Sequence, residues 1–330
     1  MDIWYLLWLQ SLREAAGPLI ESFFAAVSAI AVNPFTMFLP GIIYWCFDKF
    51  SGFFVLTSFT LGNFVCMFLK NTFCVYRPWI KDDRIHAAEG AIEEATGYSF
   101  PSGHTQMAAS VYGETGFIYR RKYKVLKWFC YIFTILVAFS RNFLGVHTPQ
   151  DVIVAFAVVI AVYYIVKNLI RRVQAKPELD LKILMIGLLI DAAFIAYVAL
   201  KSYPMDYLNG ELLVDPVEMQ VDCFKSAGML AGFLVGWYAE RRTLKFTTDS
   251  LSRKDKIIRI LCGIVVCLTA LAVPRLLLSS LETRVSAVIR YFILMLSMVY
   301  LTPLVFTIIE RKTRREQLEV PLSLKEKTEA

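Results

Sequence analysis

Apolar residues fall into nine continuous blocks along this chain, and short polar segments separate the blocks. The blocks lie at about residues 22–47, 52–70, 102–119, 127–143, 151–170, 181–201, 223–239, 257–280 and 285–309. Most are close to the ~20 residues with which a helix crosses the hydrocarbon core of a bilayer. A helix also pairs its backbone polar groups internally, as a lipid environment requires. The pattern predicts an all-α integral membrane protein, a helical bundle with about nine transmembrane helices.

The N-terminal part of the chain departs from this simple pattern. Trp4, Trp8 and the leucines between them predict a short amphipathic helix at the membrane surface, with a frayed tail as the alternative. The first apolar block contains Asn33–Pro34 and Pro40, which predict a kinked helix. The blocks at 102–119 and 127–143 are short and carry polar residues.

Basic residues cluster in alternate connections of the predicted bundle, which sets its orientation. The acidic segment 202–222 lies on the opposite side. By the positive-inside rule, the basic side is cytoplasmic, so the N-terminus is outside and the C-terminus inside. The net charge of +7 is a topology signal, and no separate basic stripe predicts binding to nucleic acid. The basic clusters are Arg120, Arg121, Lys122, Lys124 and Lys127; Lys167, Arg171, Arg172 and Lys176; Arg241, Arg242, Lys245, Arg253, Lys254 and Lys256; and Arg311, Lys312, Arg314 and Arg315.

Three polar motifs stand where apolar blocks end, in a chain that is 57% hydrophobic. The first runs from Lys70 to Arg77–Pro78, the second is Pro101–Ser102–Gly103–His104, and the third runs from Ser140–Arg141 to Asp151 through His147. In the predicted topology all three lie on the outer side. They supply cations, a helix N-terminus and imidazoles, which are the groups that phosphate chemistry needs.

The histidines predict the reacting groups. His147 and Asp151 are four residues apart, so a helical turn lets the carboxylate bind one imidazole nitrogen and leaves the other free to attack phosphorus. His104 is placed to protonate a leaving oxygen, and Gly103 allows close backbone approach. Lys70, Arg77 and Arg141 provide charge for the phosphate oxygens.

No cofactor and no metal site is expected, because no cluster has metal-ligand spacing. The acidic loop 79–100 leaves open a divalent cation, with a solvated loop as the simpler interpretation.

Lys70-x6-Arg77-Pro78, Pro101-Ser102-Gly103-His104 and Ser140-Arg141-x5-His147-x3-Asp151 together resemble the type 2 phosphatidic acid phosphatase (PAP2) superfamily, which includes lipid phosphate phosphatases. The resemblance covers about residues 20–170. It implies a PAP2-type helical bundle, metal-independent turnover, His147 as a nucleophile that forms phosphohistidine, Asp151 as its orienting partner and His104 as general acid. It also implies a phosphate cradle, made of Lys70, Arg77, Ser102, Gly103 and Arg141.

The expected domains combine the resemblance, which gives the core, with the pattern of apolar blocks on either side of it. They are an amphipathic segment (1–19), a PAP2 phosphatase core (20–176), an additional C-terminal membrane domain of four helices (177–310) and a cytoplasmic tail (311–330). Within the additional domain, Gly228, Gly232 and Gly236 share one helix face, which predicts close helix packing and leaves open a homodimer interface. Asp191, near the middle of a span, predicts a buried ion pair with Lys225, Arg275 or Arg290, or else a substrate or ion pathway.

The expected function is therefore hydrolysis of a lipid phosphate or diphosphate at the extracytoplasmic face of a multi-pass protein of the cell membrane, with the C-terminus in the cytoplasm. Its partners are the lipid phosphate substrate and membrane lipids. The alternatives are a phosphotransferase that passes the phosphoryl group to an alcohol, a phosphatase of a water-soluble sugar phosphate, and a transporter or scaffold with a vestigial phosphatase core.

Overall fold

The computed structural model describes residues 2–208 and 210–319, with side chains described up to residue 313. The N-terminal half contains ten α-helices and one π-helical segment. They are α1 (Asp2–Ala16), α2 (Pro18–Val32), α3 (Pro34–Cys46), α4 (Lys49–Phe73), α5 (Pro78–Lys81), α6 (Glu89–Ile92), α7 (Gly103–Ala108), π1 (Ala109–Gly113), α8 (Glu114–Ile118), α9 (Lys124–Phe143) and α10 (Pro149–Ala175).

The C-terminal half contains five further α-helices, a second π-helical segment and a small antiparallel hairpin. They are α11 (Leu179–Leu200), β1 (Tyr207–Leu208), β2 (Glu211–Leu212), α12 (Pro216–Thr243), α13 (Arg253–Leu277), α14 (Thr283–Leu296), π2 (Ser297–Leu301) and α15 (Thr302–Glu319). The predicted tail, 311–330, overlaps α15 up to Glu319, and residues 320–330 lie outside the described residues.

Local sequence signals explain where the long helices begin. Asp48 caps α4 by accepting hydrogen bonds from the backbone N–H groups of Phe50 and Ser51. Asn33 separates α2 from α3 and caps α3 through its side chain, with Pro34 as the first helical residue. The Asn33–Pro34 pair therefore divides the first apolar block into two helices.

All nine apolar blocks form helices, but not all of them have the length and apolarity of a membrane span. Six helical segments in the described residues qualify, and a seventh is formed if the bent pair α1 and α2 is counted as one span. The segment from α7 to α8 is too short, α3 is shorter still, and α12 is too polar over its length. The prediction of a membrane-spanning helical bundle is confirmed, whereas composition and length alone do not support a count of nine.

Helix α12 is polar because it packs inside the bundle, where neighbouring helices cover it. A Cβ atom on Gly228 would lie 2.3 Å from the carbonyl oxygen of Val288, and one on Gly232 would lie 2.2 Å from that of Phe292. The prediction of close packing is therefore confirmed, and the partner is α14 of the same chain. This face does not offer the homodimer contact that the sequence left open, because α14 already covers it.

Asp191 does not form the ion pair that the sequence predicts. Its side chain is buried, and its Oδ1 has no hydrogen-bond partner among the described residues. Lys225 instead binds Asp222, with 2.8 Å between Nζ and Oδ1. The prediction overlooked that a residue one helical turn away on the same helix is an easier partner than one on another helix.

The bundle brings the predicted motifs to one end. The C-terminal ends of α4 and α9 and the N-terminal ends of α7 and α10 meet there. Ser102 ties α7 to α10 directly, since its backbone N–H donates to the carbonyl oxygen of Asp151 at 3.0 Å.

Candidate active site

His147 and Asp151 meet where α10 begins. Thr148 and Asp151 form a capping box, in which the Asp151 carboxylate accepts a 2.8 Å hydrogen bond from the Thr148 backbone N–H. Pro149 follows as the first residue of the helix. This turn places Asp151 Oδ2 3.2 Å from Nδ1 of His147, and both side chains are almost fully buried. The four-residue spacing therefore gives the contact that the sequence predicts.

Arg77 lies on the other side of the His147 ring. Its Nη1 is 2.9 Å from His147 Nε2. A guanidinium nitrogen is only a donor, so Nε2 is the acceptor and the hydrogen-bond network assigns the ring proton to Nδ1, facing Asp151. Burial lowers the pKa of His147 well below its usual value, and the charge of Arg77 lowers it further, whereas Asp151 opposes the shift. The imidazole is therefore neutral at neutral pH, with a lone pair on Nε2.

Arg77 and Lys70 also hold the segment that runs from Thr96 to Ser99. Arg77 donates from Nε to the Gly97 carbonyl at 3.0 Å and from Nη2 to the Thr96 carbonyl at 2.9 Å. Lys70 Nζ donates to the Tyr98 carbonyl at 2.7 Å. Both cations are almost fully buried, so they shape the site as well as charge it.

Arg141 has two side-chain nitrogens without hydrogen-bond partners among the described residues. It is fully buried, and Nη1 donates to Ser28 Oγ, but Nε and Nη2 have no hydrogen-bond partner among the described residues. Leaving a buried charged donor unpaired is costly, so these two nitrogens mark a place that suits an anion. Arg141 is close enough to His147 to contribute to the lowering of its pKa.

The second motif begins α7 beside this pair. Ser102 caps the helix, since its Oγ accepts a 3.4 Å hydrogen bond from the Thr105 backbone N–H and a 3.0 Å one from the Thr105 hydroxyl. A Cβ atom on Gly103 would meet nothing within 4 Å. His104 is slightly exposed, and its Nε2 lies 3.5 Å from Oε2 of Glu94. The contact with His104 lowers the pKa of the Glu94 carboxyl. His104 Nε2 is itself buried and has no hydrogen-bond partner among the described residues, so it is a second unpaired nitrogen in the site, beside those of Arg141.

Three functional candidates were missed by the sequence analysis. Ser99 Oγ donates a 2.5 Å hydrogen bond to Asp151 Oδ2 and lies 3.3 Å from His147 Nδ1. Asn142 Nδ2 donates to the His147 carbonyl at 2.8 Å, and Glu94 contacts His104 as described. Asn142 lies inside the third motif and Ser99 stands two residues before the second, and this proximity was the available signal. Glu94 stands in a loop whose fold the sequence does not predict.

The acidic loop does not gather ligands for a metal. Asp82 binds Arg84, with 2.7 Å between Oδ2 and Nη2. Among the side chains described, in residues 2–208 and 210–313, no group of three or more His, Cys, Asp or Glu has an arrangement that suits a metal ion.

Comparison with known proteins gives two matches to family profiles. Residues 51–175 match the PAP2 superfamily, and residues 224–314 match the PAP2 superfamily phosphatase, transmembrane extension. The chain is also 27% identical over 107 residues to phosphatidylglycerophosphatase B of Bacillus subtilis (strain 168), a stretch that covers 30% of this chain and 52% of that relative. The chain thus spans about half the length of that curated relative. No solved structure matches.

The three motifs, their convergence at one end of an apolar helical bundle and the two family matches agree with one another. The chain is therefore an integral membrane protein that belongs to the PAP2 superfamily and carries its transmembrane extension.

Proposed function

We propose that this protein is a membrane phosphatase that hydrolyses a lipid phosphate or diphosphate through a phosphohistidine on His147. The observation that carries the proposal is the chain of contacts from Asp151 through His147 to Arg77, with 3.2 Å and 2.9 Å between the paired atoms. It holds a neutral imidazole with its lone pair directed at a cation that suits phosphate oxygens.

In the first half-reaction, the Arg77 Nη1–H that binds His147 Nε2 in the empty site turns to a phosphate oxygen and frees the lone pair. Nε2 then attacks phosphorus, and the bond from phosphorus to the leaving oxygen breaks. Burial and the charge of Arg141 lower the pKa of His104 to about 4 in the empty site, so in this proposal the bound phosphate dianion brings the proton onto His104, which then gives it to that oxygen. The imidazole becomes positively charged as the N–P bond forms, and Asp151 stabilises that charge through Nδ1–H. In the second half-reaction, water attacks phosphorus, His104 takes the proton from the water, and the N–P bond breaks to release inorganic phosphate.

Phosphate oxygens are held by Lys70, Arg77, Arg141, Ser102 and Gly103 in this proposal. The unpaired Nε and Nη2 of Arg141 support it most directly. The open space beside Gly103 gives an anion access to the backbone N–H groups at the start of α7. Turnover needs no metal in this scheme, since the protein's own cations neutralise the transferred phosphoryl group.

A lipid substrate fits the position of the site at the end of the spanning helices. There the phosphate of a lipid meets the site while its chains stay in hydrocarbon. We place this end on the extracytoplasmic side and the C-terminus in the cytoplasm, on the distribution of basic residues. The relative named phosphatidylglycerophosphatase B makes a glycerophospholipid phosphate the first substrate to test.

The additional C-terminal domain (177–310) is proposed to support the phosphatase core (20–176). Tyr98, Val214 and Met219 form one buried cluster, and a Cβ atom on Gly97 would lie 1.9 Å from Met219 Sδ. The extension therefore packs against the same segment that accepts hydrogen bonds from Lys70 and Arg77.

The test is release of inorganic phosphate from a panel of lipid phosphates and diphosphates, with EDTA and with the His147→Ala variant. The proposal expects release by the wild-type protein in EDTA and none by the variant. Release that persists in a folded His147→Ala protein contradicts the covalent mechanism. Transfer of phosphate to an added alcohol, in place of release, identifies a phosphotransferase.

The orientation is tested separately. A cysteine that replaces Asp83 should react with an impermeant reagent in intact cells, and one that replaces Lys122 should not. Both positions are exposed in the structure, so the reverse labelling pattern contradicts an extracytoplasmic site.

A further inference from the structure

Helix α1 lies against the candidate active site and contacts two of its loops through one buried arginine. Arg13 is almost fully buried; its Nη1 donates to the Phe143 carbonyl at 3.1 Å, and its Nη2 donates to the His86 carbonyl. Gly145, in the left-handed region at φ +74°, approaches the same guanidinium so closely that a Cβ atom there would lie 3.4 Å from Nη1. Arg13 thus fixes the segment that begins at Phe143 and leads to His147.

Two further contacts join α1 to the same region. Gln10 accepts a 2.8 Å hydrogen bond at Oε1 from the backbone N–H of His86. Asp2, at the start of α1, accepts from the side-chain amide of Gln150, the residue before Asp151. One face of α1 is therefore committed to the loops that carry the proposed nucleophile and its carboxylate.

The opposite face of α1 is apolar and exposed. Trp4, Trp8 and Leu12 are 73%, 56% and 42% exposed, and their spacing of four residues makes them one stripe. Helix α1 meets the apolar α2 at an angle of 119°, so it lies across the end of the bundle rather than continuing into it. Tryptophan is enriched where a protein meets the polar boundary of a bilayer. The medium that covers this stripe is therefore the lipid interface at the end where the site lies.

The family match begins at residue 51, so α1 lies outside the part of the chain that the PAP2 profile recognises. We propose that α1 is a positioning arm. Its Trp4–Trp8–Leu12 stripe rests in the lipid interface, and Arg13 holds the His147 loop at a fixed position relative to that interface. The proposal rests on the proposed lipid phosphatase function and adds a positioning residue to it. It also gives the site a fixed depth, at the level where lipid phosphates lie.

The first experiment replaces Arg13 by Gln and by Lys in the full-length protein, with Ser11→Ala as the matched control on an exposed part of α1. Each variant is assayed on para-nitrophenyl phosphate and on a lipid phosphate in vesicles, and its thermal stability is measured. Misplacement of a reacting group by about 1 Å lowers rate by about 100-fold. We expect Arg13→Gln to lower kcat about 10- to 100-fold on both substrates with KM nearly unchanged, and Arg13→Lys to recover part of the loss.

Hydrogen exchange gives a readout that does not depend on activity. The backbone amides of 142–148 should exchange faster in Arg13→Gln than in the wild type, while those of α12 stay the same. Unchanged kcat together with unchanged exchange in a folded Arg13→Gln protein overturns the positioning role. A general loss of protection across the bundle overturns it too, since it shows a merely structural role.

The second experiment tests the outer face with Trp4→Ser combined with Trp8→Ser. Lipids brominated near the headgroup should quench part of the wild-type tryptophan fluorescence, and this part should be lost in the double variant. Its kcat/KM on vesicle lipid should fall about 10-fold, with para-nitrophenyl phosphate turnover unchanged. Equal quenching of both proteins overturns the interfacial arm. Absence of phosphatase activity in the wild type refutes the proposed function instead, and the exchange and quenching results still decide the role of α1.

Discussion

Replacement of Asp151 by Asn is the sharpest perturbation of the proposed mechanism. Asp151 Oδ2 accepts from Ser99 Oγ at 2.5 Å, from the Thr148 N–H at 2.8 Å and from His147 Nδ1 at 3.2 Å. An asparagine has nearly the same shape and keeps these bonds if its oxygen faces the three donors. What it removes is the negative charge beside the imidazole.

The size of the loss follows from the distance. At an effective dielectric constant of about 20, a unit positive charge 3.2 Å from a carboxylate oxygen is stabilised by about 5 kcal/mol. The imidazole carries part of that charge in the transition state for phosphorylation, so about half to all of this energy is lost. Each ~1.4 kcal/mol is tenfold in rate, and we therefore expect kcat to fall by about two to four orders of magnitude.

The assay is steady-state phosphate release, normalised to folded protein, with Asp180→Asn as the matched control. Asp180 is also buried and binds Arg241, with 2.9 Å between Oδ2 and Nε, but it lies at the opposite end of the bundle. The control should lose thermal stability and keep its kcat. A fall of less than tenfold in a folded Asp151→Asn protein would refute the electrostatic role of the carboxylate.

Four other outcomes are expected. Ser99→Ala removes a hydrogen bond to a charged group, worth about 1.5–3 kcal/mol, so kcat should fall about 10- to 100-fold; an unchanged kcat contradicts its role. Arg77→Gln removes a charge that lowers the pKa of His147, so the acid limb of kcat/KM should move to higher pH, and a stationary or downward shift argues against that coupling. Gly232→Ala places a methyl group against a backbone carbonyl of α14 and should lower stability by about 1–3 kcal/mol in thermal unfolding, whereas Gly90→Ala, with open space around it, should not. Phosphate release should survive EDTA; loss that magnesium restores would point to a metal-dependent reaction.

Much of the candidate site was predictable because its groups occupy short motifs at the ends of apolar blocks. The spacing of His147 and Asp151 predicts their contact, and the capping box provides the helical turn that it requires. If the spans alternate in direction, the C-terminal end of the second block and the N-terminal ends of the third and fifth blocks lie on the same side. In the structure the corresponding ends of α4, α7 and α10 meet at one end of the bundle.

The missing parts depend on contacts between residues far apart in the chain. Ser99 lies 52 positions from Asp151, and Arg13 lies 130 positions from Phe143, so no local pattern reveals either contact. The sequence also does not reveal which backbone groups the cations of the proposed cradle bind. Arg77 and Lys70 already donate to the carbonyls of residues 96–98, whereas two side-chain nitrogens of Arg141 have no hydrogen-bond partner among the described residues.

The number of membrane spans was harder to predict than the candidate site. A helix surrounded by other helices can keep small and polar residues, whereas a helix that faces lipid must be apolar, so hydrophobicity alone does not identify both. Helix α12 keeps small and polar residues since other helices surround it, and its glycines meet α14. For Asp191 the charge suggested a partner on another helix, and its Oδ1 has no hydrogen-bond partner among the described residues.

The most direct test of the central claim is identification of the phosphorylated residue during turnover. The protein is mixed with a lipid phosphate labelled with ³²P at phosphorus, quenched in alkali within milliseconds, digested and mapped by mass spectrometry. The account predicts phosphohistidine at His147, formed and lost at rates that sustain turnover and absent from the His147→Ala variant. Turnover with no label on His147, or label on another side chain, would contradict it.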